Sequence, residues 1–119
     1  SRPSYEENAD GYVLTRALMT WFMDHYCDPD DRDDPRVAPL RGNLAGLPPA
    51  FIATAQFDPL RDEGNAYVEA LAAAGSDVEH LPLRGQLHTS VAGVGMIISA
   101  NDARARIAGA IERLAAGGR

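Results

Sequence analysis

The sequence predicts an α/β fold built on a parallel strand–helix–strand unit, and three observations carry that expectation. An apolar run from Phe51 to Phe57 ends in Asp58-Pro59. A helical stripe of Leu60, Gly64, Tyr67, Val68 and Leu71 follows and stops at Gly75. A second short run, Val78 to Leu83, leads into a turn carrying His88. Strand, helix, strand in this order is a βαβ unit. Its right-handed crossover brings both strand ends to one edge of the sheet. Asp58 and His88 are therefore expected to meet, and a carboxylate on an imidazole nitrogen is how a catalytic base is oriented.

With 119 residues the chain fits one domain, able to bury roughly two-thirds of its unfolded surface. The net charge of −6 argues against nucleic-acid binding, which needs a basic face to neutralise phosphates. All 11 Lys+Arg are arginine, and they are scattered. The single Cys27 allows no internal disulfide and favours a reducing, cytoplasmic setting over a secreted one. No apolar run reaches the ~18–20 residues of a membrane helix. The chain opens on Ser1-Arg2-Pro3, without an initiator Met or a signal-peptide pattern. Either a processed N-terminus or membership of a longer polypeptide is expected.

Taken in order, Ser4 and Glu7 have the spacing of a capping box for a short helix ending at Gly11. Thr15 stands at the N-cap of a second helix, whose Leu14, Leu18, Trp21, Phe22 and Tyr26 share one face. Such an aromatic face invites a substrate-pocket reading, but a core-facing helix is the favoured expectation. Asp28 to Pro35 is the densest charge run. It lacks the glycine and the final glutamate of a calcium loop in register, so a solvated acidic turn is expected. Val37 to Pro49 reads as loop.

Phe51 to Phe57 is apolar on both alternations, as a strand buried on both faces would be. Asp58-Pro59 opens the helix, with Asp62 and Glu63 near its positive end. Pro82 cannot donate to a ladder, which makes Val78–Leu83 an edge strand. Gly85 to His88 is the expected turn, and Val91 to Ile98 one or two helical turns. Ser99 or Asn101 caps a last helix with a core stripe of Ala103, Ile107, Ala110, Ile111 and Leu114, ended by Gly117-Gly118. His80 reads as a surface or edge residue. His25 and Cys27 have no third ligand and make no zinc site. Cys27 lacks the sharp turn that would present a thiol nucleophile. No Gly-rich phosphate loop follows a strand, which argues against a flavodoxin-like ligand domain. At Asp58 a helix N-cap remains as open as a catalytic acid, and a lone histidine in a turn, as His88 is, is more often merely solvated.

Two parallel strands are too few to stand alone, since about three or more with covered faces are needed. The Phe51–Phe57 strand would leave a hydrophobic edge open. Further strands are expected to come from another polypeptide segment lying beside it.

Several segments agree, in order, with one family. They are Tyr5-Glu6-Glu7-Asn8-Ala9-Asp10-Gly11-Tyr12, Trp21-Phe22-Met23-Asp24-His25-Tyr26, Asp34-Pro35-Arg36-Val37-Ala38-Pro39-Leu40 and Leu47-Pro48-Pro49-Ala50-Phe51-Ile52, with Asp58-Pro59-Leu60-Arg61-Asp62-Glu63-Gly64 after them. Together they resemble the C-terminal portion of an α/β-hydrolase of the hormone-sensitive-lipase esterase family. The resemblance implies a carboxylic ester hydrolase acting on a small or lipid-like acyl ester without a cofactor or metal. It implies Asp58 as the triad acid and His88 as the triad base. It also implies a cap-like role for residues 1–47, with 48–119 as the βαβα unit bearing the two groups. Two departures stand out. The family turn usually reads Gly-x-x-His-Gly-Phe, whereas here Thr89-Ser90 follow His88. There is also no Gly-x-Ser-x-Gly elbow and no His-Gly-Gly oxyanion loop. The family's triad runs Ser, acid, His along the chain, so the nucleophile is expected upstream in a missing N-terminal half. The chain alone is then expected to be inactive. The alternative is a non-catalytic half that persists as a homodimer or interaction module through the open strand edge.

Overall fold

The computed structural model describes residues 2–93 and 95–117. The elements are α1 (Pro3–Glu7), α2 (Arg16–Tyr26), β1 (Ala50–Phe57), α3 (Arg61–Ala73), β2 (Val78–Leu87) and α4 (Ala100–Gly117). Single 3-10 turns lie at Pro29–Asp31, Pro39–Arg41 and Ser90–Ala92. β1 and β2 pair in parallel and form the whole sheet among the described residues. The expected βαβ unit is present.

α3 crosses between the strands and ends as its sequence dictates. Gly75 takes φ +89°, the Gly75 N–H donates to Ala72 O, and the Ser76 N–H donates to Leu71 O. This is a Schellman stop, which glycine favours because it lacks a Cβ. Leu71 on the inner face of α3 is 2% exposed. Gly64 lets the helix approach β1, since a Cβ there would lie 2.7 Å from Thr54 Cγ2. In β1, Thr54 and Ala55 are buried while Phe51 and Ile52 are half-buried. The expectation of a strand covered on both faces is met only in its middle. Among the described residues, β1 hydrogen-bonds along one edge alone.

β2 differs from the expected short strand. It continues through Leu87, so Gly85 and Gln86 belong to the strand and not to a turn. Gly85 adopts φ +70°, and its N–H donates to Gln56 Oε1 at 2.7 Å. A side-chain carbonyl thus substitutes for a ladder partner, and the strand bulges instead of ending.

α1 also departs from expectation. Its N-cap is Arg2, with no side-chain cap, and the helix ends at Glu7, well before Gly11. Ser4 lies inside the helix, fully buried. Its hydroxyl donates to Pro59 O at 2.8 Å and accepts from Asp62 N at 3.1 Å. Tertiary partners have taken the group that would have capped. Thr15, by contrast, caps α2 as expected, its hydroxyl accepting from Leu18 N.

The apolar face of α2 does not meet a core. Leu14, just before the helix, is buried, but Trp21 is 53% and Tyr26 70% exposed, and no residue of α2 is buried. No described element covers that face. In α4, Ala100, Ala103 and Ala110 are buried, whereas Ile111 and Leu114 are exposed. The expected five-residue stripe is therefore a narrower alanine seam. Ser99, just before α4, accepts from Gln86 Nε2 at 2.8 Å. Gly118 and Val94, which entered the expectations for the last helix stop and the turn after His88, lie outside the described residues.

The acidic run is a turn laced by arginines. Asp24 pairs with Arg32, Asp33 with Arg41 and Asp34 with Arg36. Hydrogen bonds from the Arg36 guanidinium, and one from its backbone N–H, lower the Asp34 carboxyl to a pKa of about 2. No group of three metal-ligating side chains occurs among the described residues. His25 Nδ1 is engaged with Trp21 O at 2.8 Å. No described helix is long and apolar enough to cross a membrane.

Asp62 links α1 to α3, and its environment leads us to expect an acid-sensitive fold. The Arg61 guanidinium beside it, helped by the Ser4 N–H, holds its carboxyl below the usual carboxylate range, with burial opposing. A carboxylate whose folded pKa is depressed adds stability above its unfolded pKa, and that stability is lost as pH falls through the folded value. The thermal midpoint is therefore expected to drop below about pH 4, and Asp62→Asn should flatten that acid limb. Melting curves between about pH 2 and 6 check this. An equally steep limb in the variant would show that Asp62 does not contribute to it.

Candidate active site

The bulge in β2 decides which residue faces Asp58. From Ala50↔Val78 to Ala55↔Leu83 the paired residues are offset by 28 positions, and at Phe57↔Leu87 by 30. Without those two extra residues, Gln86 would stand level with Asp58. With them, Asp58 and His88 each follow the last paired residue of neighbouring strands. Gly85 and the Gln56 side chain hold this slip, and no local pattern other than the glycine itself signals it.

His88 Nδ1 lies 2.7 Å from Asp58 Oδ2. The other carboxylate oxygen, Oδ1, accepts from Leu60 N at 2.8 Å. The N-cap of α3 is Leu60, without a side-chain cap bond, so Asp58 is not the expected N-cap; its two oxygens serve two other partners. One oxygen closes an Asx turn ahead of α3, and the other faces the imidazole. Asp58 is buried, while the His88 side chain is 31% exposed. A carboxylate can only accept, so Nδ1 carries the proton and Nε2 keeps the basic lone pair. That is the tautomer a general base needs.

Thr89 answers the question raised by the missing glycine. It takes φ 58°, the left-handed region that a β-branched residue enters only with strain. The turn keeps a glycine-like path, and the Thr89 hydroxyl donates to His88 O at 2.7 Å. None of the three serines of the C-terminal half stands in a nucleophile elbow: Ser76 donates to Leu47 O, Ser90 is buried with its hydroxyl unpartnered, and Ser99 accepts from Gln86 just before α4. His80 is more engaged than an edge residue need be. Its Nε2 lies 2.9 Å from Thr54 Oγ1, whose hydroxyl donates to Asn65 Oδ1. A largely apolar groove of about 360 Å³ is lined by Leu40, Ile52, Leu60 and Tyr67 together with Asp58 and His88.

Residues that sequence reasoning passed over also belong to this neighbourhood. Asn8 is buried and donates to Asp58 O at 3.2 Å. Arg61 joins Glu7 of α1 to Asp62 of α3.

Comparison with known proteins places these features in context. Residues 1–92 match the family described as the alpha/beta hydrolase fold. Carboxylesterase NlhH of Mycobacterium tuberculosis is 46% identical over 84 residues, covering 66% of this chain and 26% of that protein. Esterase LipI of the same organism is 42% identical over 109 residues, covering 89% of this chain and 34% of LipI. EstE1, a thermostable carboxylesterase cloned from a metagenomic library, superposes with a TM-score of 0.90 at 32% identity, over 95% of this chain and 40% of its own. The chain spans about a quarter to a third of the length of these curated relatives.

Proposed function

Because this chain belongs to the α/β-hydrolase fold family, in its hormone-sensitive-lipase-like esterase branch, we propose that it carries the acid and base of a Ser–Asp–His triad in a carboxylic ester hydrolase. The observation that carries this reading is the 2.7 Å contact between Asp58 and His88 at the ends of adjacent parallel strands. In the reaction, a serine outside these residues attacks the ester carbonyl. His88 Nε2 takes the serine proton and returns it to the leaving alcohol. Water then attacks the acyl-enzyme with the same base assisting, releasing the acid. Asp58 keeps Nδ1 protonated and stabilises the imidazolium as it forms. Backbone N–H groups outside this chain hold the oxyanion. Residues 1–47 act as part of the cap over the acyl pocket. Residues 48–119 supply the sheet edge on which acid and base sit.

The exposed aromatic face of α2 and the unpaired edge of β1 support a partner polypeptide segment that completes the sheet and covers α2. The 119-residue chain by itself is expected to turn over no ester, while the complete gene product hydrolyses a short-chain p-nitrophenyl ester. Activity from the isolated chain, or none from the complete product, would overturn the assignment. The open β1 edge also favours a second reading, a non-catalytic module that dimerises strand to strand. Size-exclusion mass beside ester turnover separates them: an inactive dimer supports the second.

A further inference from the structure

We infer that α1 is a clamp on the triad acid, with Asn8 as a positioning residue that acts through the backbone of Asp58. The inference rests on the reading of Asp58 as that acid. The loop between β1 and α3 must present a carboxylate to His88 although it follows the last ladder pair, and Pro59 has no N–H to anchor it. Two of its carbonyls are held by side chains 50 and 55 positions away. Asn8 Nδ2 donates to Asp58 O at 3.2 Å, and Ser4 Oγ donates to Pro59 O at 2.8 Å. The Ser4 N–H donates to Asp62 Oδ2 at 2.8 Å, fixing α1 to the first turn of α3.

Burial makes these contacts consequential. Ser4 is 0% and Asn8 4% exposed, so each amide or hydroxyl has exchanged water for this loop and would be left wanting if the loop moved. The Arg61 N–H also donates to Asp58 O at 3.1 Å. Removing Asn8 therefore leaves that carbonyl bonded on one side, free to swing about the remaining contact. The carboxylate is attached to the same residue, and its hydrogen bond to His88 tolerates little displacement. A five-residue helix with little core of its own is what such a clamp looks like. Its polar side chains, not its apolar ones, make the attachment.

The test uses the complete gene product, with p-nitrophenyl acetate as substrate and Asn8→Ala, Asn8→Asp and Asp58→Asn as variants. Asn8→Asp keeps the volume and removes the donor. Both Asn8 variants are expected to lower kcat on the order of 10- to 100-fold, the scale of misplacement by about 1 Å, with KM nearly unchanged. The downfield NMR resonance of the His88 Nδ1 proton should shift or broaden in both. Normal kcat and an unmoved resonance in the Asn8 variants, beside an inactive Asp58→Asn, would overturn the clamp and leave the triad standing. A fully active Asp58→Asn would instead sink the triad, and the resonance alone would then decide whether Asn8 positions Asp58. If both Asn8 variants fail to fold, as thermal unfolding would show, α1 is a folding element and the positioning role is rejected.

Discussion

Asp58→Asn is expected to lower ester turnover on the order of 10⁴-fold in the complete gene product while leaving the fold intact, by analogy with the serine-protease triad. The hydrogen bonds explain why so small a change should cost so much. Leu60 N–H donates to one carboxylate oxygen, and only the oxygen of an asparagine amide can accept that bond. The amide NH2 is then forced toward His88 Nδ1, a position held at 2.7 Å by an acceptor in the native protein. A donor there requires Nδ1 to give up its proton. The proton moves to Nε2, and the imidazole loses the lone pair with which it would deprotonate serine. Both local hydrogen bonds survive with reversed polarity, so the thermal midpoint should change little. Steady-state kinetics on a short-chain ester, with a melting curve beside them, measure both halves of the expectation. Turnover within tenfold of the native value would remove Asp58 from the mechanism.

That Asp58 and His88 meet was legible in the sequence, and how they meet was not. The apolar run to Phe57, the stop at Gly75 and the second run from Val78 fixed strand order through chain connectivity alone. Placing His88 opposite Asp58 needs the two extra residues of β2, and nothing in Arg84-Gly85-Gln86 says whether a glycine will turn the chain or bulge it. The choice fell to Gln56, whose side chain captures the Gly85 N–H from the neighbouring strand, a contact no local pattern encodes. Ser4 shows the converse. Its spacing to Glu7 is that of a capping box, but Pro59 and Asp62 claim its hydroxyl, and a tertiary bond outweighed the local one. The face of α2 was read correctly as apolar, and no described element covers it; periodicity reports which side of a helix avoids water and says nothing about what lies against it.

Gly64 is where the site's scaffold has least room, and substitutions there should reverse sign with the residue opposite. In an open helix interior, Gly→Ala stabilises by about 1 kcal/mol. Here the new Cβ would lie 2.7 Å from Thr54 Cγ2, well inside the ~3.5–4.0 Å of a carbon–carbon contact. Thr54 cannot turn away cheaply. It is buried, β-branched, and its hydroxyl is held by both His80 and Asn65. α3 must therefore lift from β1, and overpacking of this kind typically costs about 1–3 kcal/mol. Gly64→Ala should destabilise by roughly 0–2 kcal/mol after the helix gain is subtracted, and Gly64→Val, with two more methyl groups, by about 3 kcal/mol or more. Thr54→Ser removes only the offending methyl and keeps the hydroxyl. The next atom a Cβ would meet is Thr54 Cβ at 3.9 Å, an ordinary contact. In that background Gly64→Ala should become neutral or stabilising. Urea unfolding of the four proteins of this cycle gives the coupling directly. Equal effects of Gly64→Ala in both backgrounds would mean that α3 does not sit this close to β1. Close packing of α3 on β1 would then not be part of what positions the loop that carries Asp58.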